Sequence, residues 1–179
     1  MIDPREYTDS ILKRFGPGGT AYDDRPQLDE PGDPRKVFVS HGHDEKAKTD
    51  VASFLETCGI EPIILADQPN AGRAILEKFE AYDDVGFAIV LLTADDLGRA
   101  KSGSDTDLRP RARQNVIMEL GYFMGKLGRE RVCVVRRPDA AVEPPSNISG
   151  IVTINYSDDD KWQKELRREM VHAGLKLRS

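Results

Sequence analysis

The chain has 179 residues, 39% of them hydrophobic and 32% charged, and carries a net charge of −5. That suffices for one ordinary globular domain with a real core and not for two. The acidic balance argues against a general nucleic-acid binder, which normally carries a basic footprint, and no window approaches 18 consecutive apolar residues, as a membrane span would require.

The first segment, 1–35, reads as an arm. In "DPREYTDSILKRFG", Asp3 is placed to cap a short helix, with Pro4 at its first position, Glu6 at the capping-box position and Gly16 beyond its end. Tyr7, Ile11, Leu12 and Phe15 give that helix an apolar face, which suits either a loose terminal helix or a docking element for a neighbouring subunit. Residues 16–35 follow, with four Gly, four Pro and five Asp or Glu, too broken and too polar to pack. The opening "MIDPREYTDS" lacks the basic and apolar regions of a signal peptide, so a cytoplasmic location is expected. Cys58 and Cys133 are expected to be reduced core residues.

From Lys36 to Ser179 the pattern is a single domain of alternating strands and helices. "KVFVS" is an apolar strand. The following helix starts at the cap Asp44, turns Ala47, Val51, Phe54, Leu55 and Cys58 to one face, and stops at Gly59. "EPIILA" reads as a second strand and "RAILEKFEAY" as a helix with Ile75, Leu76 and Phe79 inward. "GFAIVLLT" is apolar throughout, as a central parallel strand buried on both faces should be. A polar loop, 94–111, leads to a helix with the apolar stripe Val116, Leu120, Phe123, Met124 and Leu127. "RVCVV", "GIVTINY" and a terminal helix anchored by Trp162 complete the chain. Five strands in βα order predict a flavodoxin-like, doubly wound parallel sheet of order 2-1-3-4-5.

Ligands in such sheets bind beyond the carboxyl ends of the strands, at the switch point between the first and third. Ser40–Glu45, Ala66–Arg73, Thr93–Arg113 and Arg136–Pro145 belong there. His41-Gly42-His43 has the alternation of an HxH metal motif, but a catalytic zinc wants three protein ligands. The remaining histidine, His172, falls in the last helix, and only Asp67, Asp95 and Asp96 offer an oxygen-rich completion, so no metal is expected. A phosphoacceptor receiver would need acids after strand one, an Asp ending strand three and a Lys ending a later strand, where this chain has Ser40-His41, Thr93 and Arg136. Glycine-rich phosphate fingerprints are absent from "SHGHDE". What remains is a small polar turn feeding a helix N-terminus, where an anion is favoured. The run Arg109–Arg113 could meet a pyrophosphate or be a flexible basic loop.

Taken together, "VFVSHGHDEKAKTDVASFLETCGIEPIIL", "QPNAGRAILEKFE", "VGFAIVLLTADDLG", "RARQNVIMELGYFMGKLGRERV" and "PSNISGI" resemble the bacterial TIR-like family of predicted nucleotide-binding proteins, the branch used as effectors in TIR-STING and Pycsar antiphage systems. The resemblance covers about residues 36–175. It implies a flavodoxin-like fold and an NAD+ glycohydrolase active on self-assembly, with NAD+ as substrate, no cofactor, and a possible sensor responding to a nucleotide second messenger. It further implies that Ser40, His41 and Gly42 meet the nicotinamide-proximal ribose, that Asp67 to Arg73 form the BB loop controlling access and assembly, and that Glu119 is the catalytic carboxylate. Asn115, one turn earlier, falls where other TIR branches often carry tryptophan; Asp95, after the third strand, joins the substrate-binding set. No nucleic-acid or membrane partner is implied. The other reading is a non-catalytic TIR scaffold.

The chemistry suits one carboxylate. Nicotinamide leaves NAD+ as a neutral base, so its glycosidic bond breaks without the general acid that most glycosidases supply. A single acid suffices to orient the ribose and stabilise oxocarbenium-like charge, best in a dry pocket. By spacing alone, Asn115, Glu119, Tyr122 and Lys126 would equally make a solvated helix face.

Overall fold

The structure is a computed structural model that describes residues 32–65, 75–138, 142, 144–145, 148 and 150–178. The expected N-terminal helix, most of the linker and Asp67–Arg73 lie outside the described residues. In chain order the elements are β1 (Lys36–Ser40), α1 (Glu45–Thr57), β2 (Glu61–Ile63), α2 (Ile75–Tyr82), β3 (Phe87–Leu92), β4 (Asp96–Gly98), β5 (Arg109–Arg111), α3 (Gln114–Leu127), β6 (Val132–Arg136), β7 (Val152–Asn155) and α4 (Lys161–His172).

Five of the strands form one parallel sheet in the order β2-β1-β3-β6-β7. This is the predicted doubly wound arrangement. Val37 to Ser40 pair in register with Phe87 to Val90, so the first strand and the most apolar strand are neighbours. β3 is buried along its whole length, which explains why it carries no polar residue. β2 is shorter than the apolar run "EPIILA" suggested. It is an edge strand, and Pro62, which lacks an N–H, is tolerated only at such an edge. The loop expected over 94–111 instead contains the antiparallel pair β4 and β5, with Asp96 opposite Arg111 and Gly98 opposite Arg109.

Strand alternation divides the core in two. Val37, Val39, Ile89, Leu91, Cys133 and Val135 pack with α1 and α4, where Trp162 meets Phe54 edge-on and Tyr156 at a tilt, with ring centroids 5.5 Å apart in each pair. Phe38, Ala88, Val90, Val132 and Val134 face the other way, toward Phe79 of α2 and Val116, Leu120 and Phe123 of α3. The Phe38 ring lies 4.3 Å from that of Phe123. Cys58 and Cys133 are buried and free. Among the described residues, no helix is long and apolar enough to cross a membrane.

α1 begins where the sequence placed it. The Asp44 carboxylate accepts the Ala47 amide at 2.9 Å, and Gly59, at φ +76°, ends the helix in a conformation that favours glycine. The same carboxylate accepts Arg137 Nε at 2.6 Å, tying the start of α1 to the residue after β6. Burial alone would raise the Asp44 pKa, but the Arg137 guanidinium and the Ala47 amide outweigh it and hold the group below its ordinary value. The stability Asp44 contributes is therefore present above the ordinary carboxylate range and lost as pH falls through the lowered native value. Asp44→Ala is expected to cost about 1–2 kcal/mol in urea unfolding at neutral pH. Asp44→Asn, which can still cap, should cost less, and equal losses for the two variants would refute the capping role.

Candidate active site

The chain leaves β1 for α1 on one face of the sheet and leaves β3 for α3 on the other. Neighbouring strands whose connections depart to opposite faces open a crevice between their carboxyl ends. Ser40 ends β1 at that crevice. It shares the phase of Phe38, so its side chain is on the α3 side of the sheet, and it is 1% exposed.

One carboxylate shapes the loop beyond Ser40. Asp95, just past β3, accepts the His43 amide at 2.8 Å on Oδ1 and the Thr93 hydroxyl at 2.6 Å on Oδ2, and its side chain is only 5% exposed. Gly42 lies against this group so closely that a Cβ there would come within 1.8 Å of Asp95 Oδ2. Glycine is required by approach here. His41 Nδ1 is 2.8 Å from the Gly42 carbonyl, an acceptor, so that nitrogen carries the proton and donates it. His43 is held from its other end: Arg113 Nη1 stands 3.1 Å from its Nε2, and because a guanidinium only donates, that nitrogen accepts. Nδ1–H then points toward Asp95, at 3.9 Å from Oδ1. The nitrogen that a metal would need is occupied by an arginine, and among the described residues no three His, Cys, Asp or Glu side chains are grouped to hold an ion.

Glu119, in the second turn of α3, is half-buried and brought to the buried Ser40 hydroxyl. Burial raises its pKa above the usual glutamate value, while the Ser40 hydroxyl and the Arg113 guanidinium pull it partly back. Ser40 Oγ lies within reach of that carboxyl without completing a hydrogen bond of strict geometry. The buried Ser40 hydroxyl thus faces the Glu119 carboxyl without a partner of good geometry, the state expected where a third molecule is to be held.

The helix face below Glu119 is not the solvated stripe its spacing allowed. Tyr122 donates its hydroxyl to Asp83 and Lys126 pairs with the same carboxylate, while the Tyr122 ring packs 5.6 Å from Phe79 of α2. Asp83 is itself buried, although no local pattern marks it as such. Asn115, one turn above Glu119, is exposed at the mouth. Of the expected substrate-binding residues, Ser40, His41, Gly42 and Asp95 are brought together with Glu119 around the crevice, although both oxygens of Asp95 are engaged in holding the loop. Asp67 and Arg73 lie outside the described residues. Arg113 was legible only as part of a basic run; the run is ordered, with Arg109 to Arg111 forming β5. Thr93 and Arg137 left no signal beyond falling at strand ends.

The doubly wound parallel sheet, covered by helices on both faces, defines an α/β domain of the flavodoxin-like class. The family model described as "CAP12/Pycsar effector protein, TIR domain" matches residues 36–158, and the chain belongs to this family. The chain is 42% identical over 177 residues to the uncharacterized protein YuaY of Escherichia coli K12, covering 96% of this chain and 58% of that one. It is 37% identical over 148 residues to protein tirC of Dictyostelium discoideum, covering 79% and 72% of the two chains. To the Pycsar effector protein BcPycTIR of Burkholderia cepacia it is 36% identical over 85 residues, 48% of this chain and 27% of the other. The chain thus spans little more than half of the Escherichia coli relative and about a quarter of the Burkholderia one.

Two expectations follow. Gly42→Ala must displace the Asp95 carboxylate and break its bonds to Thr93 and the His43 amide, lowering stability by about 1–3 kcal/mol; an unchanged melting temperature would show that the clamp does not bind the loop. For Glu119, a native pKa above the unfolded one means the fold holds that proton more tightly, so stability falls as pH rises through that window. Glu119→Gln should therefore match the wild type in thermal melts below the carboxylate range and melt higher at pH 8. A variant less stable at pH 8 would contradict the raised pKa.

Proposed function

We propose that the domain is an NAD+ glycohydrolase, releasing nicotinamide and leaving ADP-ribose or a cyclised form, and that it serves as an antiphage effector switched on by self-assembly. The observation that carries the reading is Glu119, a half-buried carboxyl held above its normal pKa beside the unpaired hydroxyl of Ser40 at the carboxyl end of the sheet. Family membership supports it, as does the likeness to proteins named Pycsar effectors.

In the proposed reaction the bond between the ribose C1′ and the nicotinamide nitrogen breaks, and both its electrons stay with the nitrogen, which becomes neutral. Water then bonds to C1′ and releases a proton. Ionised Glu119 stabilises the positive charge that develops on the ribose and, with Ser40, holds its hydroxyls; in a partly dry site such a charge acts more strongly than in water. The turn His41-Gly42 supplies the close wall against the sugar. Asp67 to Arg73 is proposed as the loop that gates this pocket and meets a neighbouring copy, and a sensor responding to a nucleotide second messenger is proposed as the trigger.

Because Glu119 acts on charge present only in the transition state, Glu119→Gln is expected to bind NAD+ as the wild type does and to lower turnover roughly a hundredfold or more. The assay is nicotinamide release by concentrated or crowded protein, since assembly is part of the proposal. Equal turnover by wild type and variant would remove Glu119 from the mechanism. No turnover by either, with NAD+ binding retained, would favour a nucleotide-binding scaffold instead.

A further inference from the structure

Among the described residues, two buried side-chain polar atoms lack a hydrogen-bond partner, and both are at the same end of the same face of the sheet. One is Ser40 Oγ. The other is Arg136 Nε, and nothing so far accounts for it.

Arg136 ends β6. It follows Val132 and Val134 in strand phase, so its side chain leaves the sheet toward α3, and it pairs with Leu92 one pleat beyond the level at which Val90 meets Ser40. α3 runs back along that face from Gln114, packing on β3 and β6, so Arg136 belongs to the level of its first turn rather than to that of Glu119. An arginine cannot shed its charge, and a guanidinium nitrogen withdrawn from water without an acceptor is costly. Its neighbour Arg137 is satisfied by Asp44 and stacks on the Tyr156 ring at 4.7 Å.

The first turn of α3 is open in a complementary way. Its cap position is Arg113, which makes no side-chain capping bond, and the turn contains no acidic residue. Its amides therefore remain available to an anion. Beside it lies a groove of about 660 Å³, lined by Leu97, Arg111, Ala112, Gln114, Ile117 and Pro145 among others. Ile117 and Glu119 project from nearly opposite sides of the helix, so the groove and the Glu119 crevice flank this one turn.

We propose that Arg136 and the open first turn of α3 form the subsite for the pyrophosphate of the dinucleotide, with nicotinamide riboside at Glu119 on one side and the adenosine in the groove on the other. The subsite deepens the NAD+ reading and rests on it. It takes a diphosphate bridging two nucleosides, for which a forked guanidinium and backbone amides are the matched donors.

The test compares substrates with and without the phosphates. In Arg136→Gln the KM for NAD+ should rise roughly ten- to a hundredfold, the worth of one charge-assisted contact, with kcat little changed. The KM for nicotinamide riboside, which lacks phosphate, should not move. Arg136→Lys should restore part of the NAD+ affinity, and its melting temperature checks that the position tolerates replacement. An unchanged NAD+ KM, or an equal loss toward the riboside, would overturn the subsite while leaving cleavage intact. Calorimetric titration with ADP-ribose separates the two ideas: wild type and Glu119→Gln should bind it alike and Arg136→Gln more weakly. That pattern without any NAD+ cleavage would sink the hydrolase reading and keep the subsite, and no difference in ADP-ribose binding would sink the subsite whatever the activity.

Discussion

The crevice depends on one carboxylate that catalyses nothing in the proposed reaction. Asp95 joins the end of β3 to the loop after β1 by accepting from Thr93 and from the His43 amide. Parallel strands leave their ends joined only through distant crossovers, so the gap between two neighbouring strand ends must be closed by side chains. Asp95 does this almost wholly shielded from water, where a charge-assisted hydrogen bond is stronger than at the surface. Gly42 follows from it, because nothing larger fits against the carboxylate. So does the orientation of His43, which is caught between Asp95 and Arg113. The HxH spacing is thus a consequence of loop packing.

Glu119 shows the reverse economy. Asp44 is bonded to an amide and a guanidinium, Asp95 to an amide and a hydroxyl, and both hold structure together. Glu119 is brought against a buried hydroxyl with only a partial charge neighbour in Arg113, and burial prevails. A group arranged this way weakens the fold at neutral pH, and such weakening is typical of positions shaped for a ligand. The cost is contained because the rest of α3 is anchored elsewhere: Val116, Leu120 and Phe123 fill the core, and Tyr122 and Lys126 converge on Asp83. The second turn can hold an unfavourable electrostatic position because the third and fourth turns are packed and paired.

Legibility followed the strength of the physical signal. The five-stranded order could be read because β1, β3 and β6 are apolar runs separated by amphipathic helices, and the βα alternation leaves few arrangements. Asp44 and Gly59 were legible because capping is a local rule. The β4 and β5 pair was not, since Pro110, Gly98 and a dense set of charges disguise three-residue strands as a loop, and their pairing is settled by closing a hairpin and not by propensity. In the site, Ser40, His41 and Gly42 could be placed at the crevice from topology, but Glu119 could be singled out only by resemblance. Its spacing with Asn115, Tyr122 and Lys126 describes a solvated stripe equally well. What removes the lower half of that stripe from water is α2 and Asp83, and no periodicity within α3 encodes a partner 39 residues before Tyr122.

The charge distribution gives the last constraint on what this crevice can hold. The chain as a whole is acidic, at −5. Yet among the described residues Arg136 ends β6, Arg137 follows it and Arg113 precedes α3, which gathers guanidinium groups at one end of the sheet. Arg113 is engaged with His43 and influences Glu119, and Arg137 is engaged with Asp44. Both therefore bond to the protein's own groups, and the charge of Arg137 is balanced by Asp44. Arg136, with its Nε buried and unbonded, adds positive charge that those neighbours do not neutralise. A ligand that fits the proposed subsite brings negative charge to the level of the first turn of α3 and develops positive charge beside the carboxylate of Glu119, a turn below, only as it reacts. In the proposed reaction a dinucleotide meets both demands, its diphosphate at the first and the charge that develops on its ribose at the second; a simple anion meets one and is repelled by the other.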